Sequence, residues 1–281
     1  MGKLDKIADF SGRLGQTFAG MVKILLLSRR PTVVRDAQPG DELVVLGNGP
    51  SLNETVGNHR DFLASRKKLV VNFAGNTPLF TDLKPDYYVL ADPHFFGHTD
   101  KNVDTLWSNL SAVDWQMTLF VPASVKSDRL DAISRHPHIR LSRYNTTPVE
   151  GFRWFRHWAY RSGAGMPRPR NVLIPSIMLA LGAGFRTVYV AGADHSWMKT
   201  LSVDEENRVV SVQPHFYKDN DKEKARVSSE YSNYKLHQIV YSFYVAFKSY
   251  HEIRDYADSQ GVTIWNITPG SFIDAFSRRK I

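Results

Sequence analysis

The sequence predicts an α/β fold: a Rossmann-like, mostly parallel sheet with helices on both faces. Three observations predict it. Short, continuous apolar runs recur along the chain, helical patterns lie between several of them, and most of the runs end in polar residues. Runs that are apolar throughout suit strands buried on both faces, and alternation of such strands with helices implies an open parallel sheet.

The candidate strands are 43–46 (LVVL), 69–73 (LVVNF), 87–91 (YYVLA), 117–121 (MTLFV), 187–191 (TVYVA) and 262–267 (VTIWNI). Residues 172–183 predict a helix that closes at Gly184 and carries Pro175 in its first turn, where a missing N–H costs nothing. A longer helix is predicted over 229–259, with Leu236, Ile239, Val240, Phe243, Phe247, Tyr250 and Ile253 on one face. A chain of 281 residues accommodates one such domain with an appendage. The division expected is a basic amphipathic arm over 1–40 and a single nucleotide-binding catalytic domain over 41–281. Within that domain, 123–170 reads as a basic, aromatic insertion and 196–228 as a lid.

Composition narrows the function. There is no cysteine, which removes disulfides and thiolate metal sites and fits a reducing, cytoplasmic setting. A net charge of +8 suits an acidic partner. In the arm, Lys3, Lys6, Arg13, Lys23, Arg29, Arg30 and Arg35 face only Asp5, Asp9 and Asp36. Its apolar run is interrupted by Lys23 and is too short to span a bilayer. It suits either an anionic membrane surface, with the protein peripheral on the inner face of the cytoplasmic membrane, or packing on the domain. A second basic stretch, 126–170, interleaves arginines with Tyr144, Phe152, Trp154, Phe155, Trp158 and Tyr160. That pattern serves single-stranded nucleic acid, an anionic substrate or an ordinary core with solvated arginines.

In an open parallel sheet, ligands bind beyond the carboxyl ends of the strands, where strand order reverses. Five strand ends are polar there. The first runs into Gly47, Asn48, Gly49, Pro50 and Ser51; the second carries Asn72 with Asn76 beyond. The third ends at Asp92, the fifth runs into Asp194 and His195, and the last ends with Asn266, Thr268 and Ser271. The glycine turn offers backbone N–H groups to a phosphate, while Ser51 with Glu54 also fits a helix capping box. Its spacing matches neither GxxxxGK[ST] nor full GxGxxG. Asp92 suits a ribose, a divalent cation or a plain turn, and Asp194 either a ligand or loop fixation. His215, in the polar lid segment, is the candidate general base, and Tyr217 the candidate partner of a departing phosphate. No HExxH, paired His/Cys set or GxSxG is present, so zinc hydrolysis and α/β-hydrolase chemistry lack support.

The patches LVVLGNGPSLNE, VVNF, LIPSIMLALGAGFRTVYVAGAD and VTIWNITPGSFIDAF resemble the bacterial sialyltransferases that use a CMP-sialic acid donor. Together with KPDYYVLADP at 84–93, they equally resemble the 6-hydroxymethylpterin pyrophosphokinase-like group, which shares a Rossmann-like core. The resemblance runs in patches from about 43 to 276 and leaves out the arm. It implies donor-nucleotide contacts from Gly47, Asn48, Gly49, Pro50, Ser51 and Asn72, and a cytidine-contacting region at Asn171 to Ser176. It places Asp92 beside the ribose or sugar, and the polar strand ends add Asp194, Asn266, Thr268 and Ser271 as candidate nucleotide contacts. Family sialyltransferases have asparagine where this chain has Asp92. That departure admits a metal-assisted reaction.

The leading expectation is therefore a glycosyltransferase of surface-polysaccharide or lipopolysaccharide assembly that takes a nucleotide-sugar donor and a glycan or lipid-linked glycan acceptor. It requires no cofactor, uses His215, Tyr217 and Asp92 in catalysis, and is compatible with a homo-oligomer. The alternatives are Mg²⁺-dependent pyrophosphoryl transfer from ATP with the metal on Asp92 and Asp194, and a non-catalytic nucleic-acid-binding module. Nucleic acid is the disfavoured partner, because the polar strand ends would then have no role.

Overall fold

A computed structural model describes residues 2–32, 34–210 and 233–281. Eight strands form one sheet in which every neighbouring pair is parallel. From β1 (Glu42–Leu46) the chain steps outward through β2 (Lys67–Val71), β3 (Tyr87–Val89), β4 (Met117–Pro122) and β5 (Ile139–Tyr144). It then crosses back to place β6 (Thr187–Ala191) on the other side of β1. A short antiparallel hairpin, β7 (Ser202–Val203) and β8 (Val209–Val210), precedes β9 (Thr263–Asn266) and β10 (Ser277–Arg278), which complete the sheet beyond β6. The order reverses between β1 and β6, so the crevice this topology dictates lies where those two strands end.

Both faces of the sheet are buried, as the unbroken apolar runs required. Leu43, Val45, Leu69, Val71, Val188 and Val190 point to one core, shared with helices α8 (Arg153–Arg161), α9 (Leu173–Ala183) and α10 (Leu236–Ser259). Val44, Leu46, Val70, Tyr88, Leu119 and Tyr189 point to the other, closed by α2 (Leu52–Asn58), α3 (Arg60–Ala64), α6 (Lys101–Ser111) and α7 (Asp128–Ile133). Helix α9 carries Pro175 in its first turn and ends on Gly184 at φ +102°, a conformation glycine reaches without a Cβ penalty.

The sequence pattern predicts no strand in 123–170. The structure puts β5 there, with Ile139, Ser142 and Tyr144 buried while Arg140 lies exposed. Arginines break its apolar run because it is an edge strand with one side in solvent. Most arginines of the segment are answered internally: Arg153 by Asp255, Arg156 by Glu252, Arg168 by Glu150, Arg140 by Asp36 and Arg129 by Asp104. That leaves little of the continuous positive track a nucleic-acid backbone needs.

The arm is α1 (Lys3–Leu27). It rests on the domain over a short stretch: the Thr17 hydroxyl oxygen accepts from the Phe152 N–H at 3.0 Å, and Ile24 packs against the core. No helix among the described residues is long and apolar enough to cross a membrane.

Candidate active site

At the crossover the turn after β1 and the loop after β6 are laced together. The Gly47 N–H donates to the Ala191 carbonyl and the Gly49 N–H to the Gly192 carbonyl, each at 2.8 Å, which carries the β1–β6 ladder past the strands. The glycines are required by this approach: a Cβ on Gly47 would sit 2.5 Å from the Gly192 carbonyl oxygen, and one on Gly49 1.9 Å from an Asp194 carboxylate oxygen. The two N–H groups expected to cradle a phosphate are thus spent on the neighbouring loop. Ser51 stands at the N-cap of α2, but its hydroxyl makes no cap; it donates to Asp194 Oδ2 at 2.7 Å. No capping box forms because Ser51 already has helical backbone angles, φ −64° and ψ −14°, where an N-cap residue needs an extended conformation to aim its oxygen at the helix N–H groups.

A second network backs this loop. His195 adopts φ +51° and is buried, with its ring 4.2 Å from that of Trp197. The Tyr250 hydroxyl lies 2.6 Å from His195 Nε2 and 2.9 Å from Asn171 Oδ1. With the Tyr250 hydroxyl donating to Asn171 Oδ1, His195 Nε2–H donates to Tyr250 Oη, and the 3.4 Å approach of Asn171 Nδ2 to that ring nitrogen is then a contact without a hydrogen bond. Burial pushes the His195 pKa down to about 3, so the ring is neutral across the physiological range. Burial likewise raises Tyr250 far above the usual phenol range. The Asn171 carbonyl oxygen also accepts from the Leu173 N–H at 3.0 Å, fixing the start of α9.

Several residues named from the sequence are placed together here but with their polar atoms committed. The Ser176 hydroxyl donates to the Val172 carbonyl within α9. Asn266 donates to the Ile273 carbonyl and accepts from the Thr268 N–H; Thr268 Oγ donates to the Val190 carbonyl and accepts from the Ala193 N–H. Ser271 Oγ donates to the Ala193 carbonyl at 2.6 Å. These side chains hold the loop after β9 against the loop after β6. Asp194 is drawn into the same framework through Ser51.

The other flank differs. Asn48 Nδ2 donates to the Val71 carbonyl at 3.4 Å, which orients the amide and leaves Oδ1 buried with no partner among the described residues. Asn72 sits at φ +49°, a conformation asparagine tolerates better than most residues, and its Oδ1 is also buried and unpartnered. Asn76 Nδ2 donates to the Asn102 carbonyl at 2.9 Å and again leaves a buried, unpartnered Oδ1. A buried acceptor without a donor costs about 1–3 kcal/mol. Three such oxygens, one after β1 and two after the neighbouring β2, mark a place where the fold retains a cost that a ligand's donors can offset.

Beyond β3, Asp92 is exposed and accepts from the His94 N–H at 2.8 Å, closing the first turn of α5 (His94–Gly97). Its nearest functional neighbour is a pair the sequence reading did not select: His94 Nε2 lies 2.9 Å from Asp100 Oδ2. Burial works against ionising Asp100, yet the Val103 and Asn102 N–H groups and His94 hold its carboxyl below the usual range. A carboxylate that holds one ring nitrogen leaves the other as a proton acceptor. The available signal was Asp-Pro-His after a strand with an aspartate six residues on; the loop between hid the pairing.

Asp92 and Asp194 follow β3 and β6, which stand three strands apart in the sheet. At ~4.8 Å per strand that is roughly 14 Å, too far for one ion to bridge. No group of three or more His, Asp or Glu among the described residues is placed to hold a metal. His215 and Tyr217 lie outside the described residues.

No protein-family model matches the chain. No curated protein matches it either. Its fold is similar to the solved structure of a MAf glycosyltransferase from Magnetospirillum magneticum AMB-1, with a TM-score of 0.50 at 10% identity. The likeness covers 94% of this chain and 38% of that one, so this chain spans well under half of that protein's length. At such identity the shared property is the fold: a mostly parallel sheet with helices on both faces.

Proposed function

We propose that this chain is a glycosyltransferase that takes a sugar from a nucleotide-activated donor, CMP-sialic acid or a related CMP-sugar, in surface-polysaccharide assembly. The observation that carries the reading is the pair of buried, unpartnered carbonyl oxygens on Asn48 and Asn72 beside the crossover. Each lacks a donor of the kind that a base's exocyclic amine or a ribose hydroxyl supplies. The fold it shares with the MAf glycosyltransferase is consistent with it.

In this reading the nucleotide lies over the β1 and β2 ends with its sugar toward β3. A hydroxyl of a glycan or lipid-linked glycan attacks the anomeric carbon in line; the new C–O bond forms as the bond to the phosphate oxygen breaks. His215 takes the hydroxyl proton and Tyr217 donates a hydrogen bond to the leaving phosphate. Asp92 stands by the sugar, and no metal is required. The second candidate for the proton is His94, steered by Asp100. The pH–rate profiles of His215→Ala and His94→Gln separate the two: the variant that loses the acidic limb identifies the base.

The test is donor hydrolysis and binding by the purified protein across CMP-, UDP- and GDP-sugars, with and without EDTA. Turnover of a CMP-sugar that survives EDTA is the expected result. Failure to bind or turn over any of them sinks the reading. Strict Mg²⁺ dependence lost in Asp92→Asn would point to pyrophosphoryl transfer instead.

A further inference from the structure

Helix α1 leaves one long apolar face open. Ile7, Phe10, Leu14, Phe18, Met21 and Leu25 follow one another at intervals of three or four residues, and all are exposed, Phe18 to 69% and Leu25 to 81%. Leu26 and Leu27 are exposed as well, directly ahead of exposed Arg29 and Arg30. Phe10 reaches the domain at one point, its ring 5.4 Å from that of Phe152, and the rest of the contact falls on another side. Thr17 is buried there, a Cβ on Gly20 would come 2.6 Å from the Phe155 ring, and Ile24 packs on the core.

That division decides between occupants. A coiled-coil partner would read a heptad seam through positions 7, 10, 14, 17, 21 and 24. Positions 17 and 24 of that seam already face the domain. The open face runs through 18 and 25 instead and widens toward Val22 and Leu26, the broad, drifting face of a helix lying flat in an interface. The charges agree: Lys6, Lys23, Arg29 and Arg30 form no ion pair among the described residues, while Arg13 is held by Asp9 at 3.0 Å. Helix α8, against which α1 rests, adds Trp154 and Trp158, exposed to 63% and 52%. Trp158 stacks on the same Phe155 ring that Gly20 meets. Tryptophan favours the boundary between headgroups and acyl chains.

We propose that α1, with Trp154 and Trp158 of α8 beside it, docks the protein on an anionic phospholipid surface. The apolar face enters the headgroup boundary and the free cations meet the lipid phosphates. This inference is independent of the donor nucleotide: it places the crevice at a membrane whatever the sugar.

The test is co-sedimentation of the full chain with vesicles of phosphatidylcholine alone and with phosphatidylglycerol added. The expected result is binding at least tenfold tighter to the anionic vesicles, weakening with added salt, and a blue shift of tryptophan emission that Trp154→Phe/Trp158→Phe removes. Leu14→Glu/Phe18→Glu/Leu25→Glu alters exposed positions only, so it should abolish binding with unchanged thermal stability. Arg29→Glu/Arg30→Glu should reduce anionic binding without touching the apolar face. Equal binding to both vesicle types, or persistent binding by the triple variant, overturns the proposal. So does a concentration-dependent dimer that the triple variant abolishes while vesicles bind nothing, which would assign the face to a second copy.

Discussion

On the β6 and β9 side of the crevice, polar side chains are answered by neighbours: Ser51 by Asp194, Ser271 by the Ala193 carbonyl, Thr268 by both Val190 and Ala193, and His195 by Tyr250. On the β2 side, Asn48, Asn72 and Asn76 keep buried carbonyl oxygens that nothing in the described structure satisfies. Both flanks are polar in sequence and stand at the same edge of one sheet. The satisfied flank is a scaffold, and the unsatisfied one is where a ligand has something to gain.

The hardest test of the scaffold is Gly47→Ala. Its Cβ would meet backbone, the Gly192 carbonyl oxygen at 2.5 Å, so the two loops must part. A loss of about 4 kcal/mol is expected in urea unfolding, at the severe end for overpacking. A loss below about 1 kcal/mol would show that the lacing is slack.

Acid should loosen the same flank. His195 is neutral when folded, its pKa lowered to about 3, whereas in the unfolded chain it takes a proton near pH 6.5. The folded state therefore binds fewer protons, and the histidine's contribution is present above pH 6.5 and lost as pH falls toward 3. Urea midpoints from pH 7 to 4 should show a falling limb of up to about 1.4 kcal/mol per pH unit, which His195→Asn flattens.

On the open flank the expectation reverses. Asn72→Gly keeps the φ +49° backbone accessible and deletes the unpartnered carbonyl oxygen. Stability should change little, while affinity for the donor nucleotide falls about tenfold to a hundredfold, a cost of about 1–3 kcal/mol measured by calorimetry. A destabilised protein with intact affinity would make Asn72 part of the scaffold. The smallest effect belongs to Ser51→Ala, which removes one donor from Asp194. About 1 kcal/mol of stability should be lost, with affinity unchanged in a thermal-shift titration.

The architecture was legible because its signal is redundant. Strands buried on both faces write themselves as uninterrupted apolar runs, and six of the eight were found this way within two residues of their bounds, from LVVL at β1 to VTIWNI at β9. The three-residue β3 lies inside its longer predicted run. Strand β5 was missed because Arg140, exposed on one face, and Arg143, bound to the Val125 carbonyl on the other, interrupt its apolar run, and the two-residue β10 is too short to show a period. The site was legible only as a set of strand ends. Sequence order shows that Asn266 and Asn72 both end strands. It does not show that Asn266 would find the Ile273 carbonyl and Thr268 N–H while Asn72 would find nothing. The His94–Asp100 pair was invisible for the same reason: its partners meet through a loop's path and not through a periodic pattern.

The lacing of the two loops also has a consequence for how the protein is made. Strand β1 can pair with β2 as soon as residue 71 leaves the ribosome, but its other edge waits for β6, and Ser51 waits for an aspartate 143 residues downstream. At roughly 5–20 residues per second, that is about 7 to 30 s during which a fully apolar strand stands with one edge bare. For that interval the nascent chain presents a sheet edge open to pairing with other chains, and the crevice's scaffold flank waits longer still, for Asn266, Thr268 and Ser271 after β9.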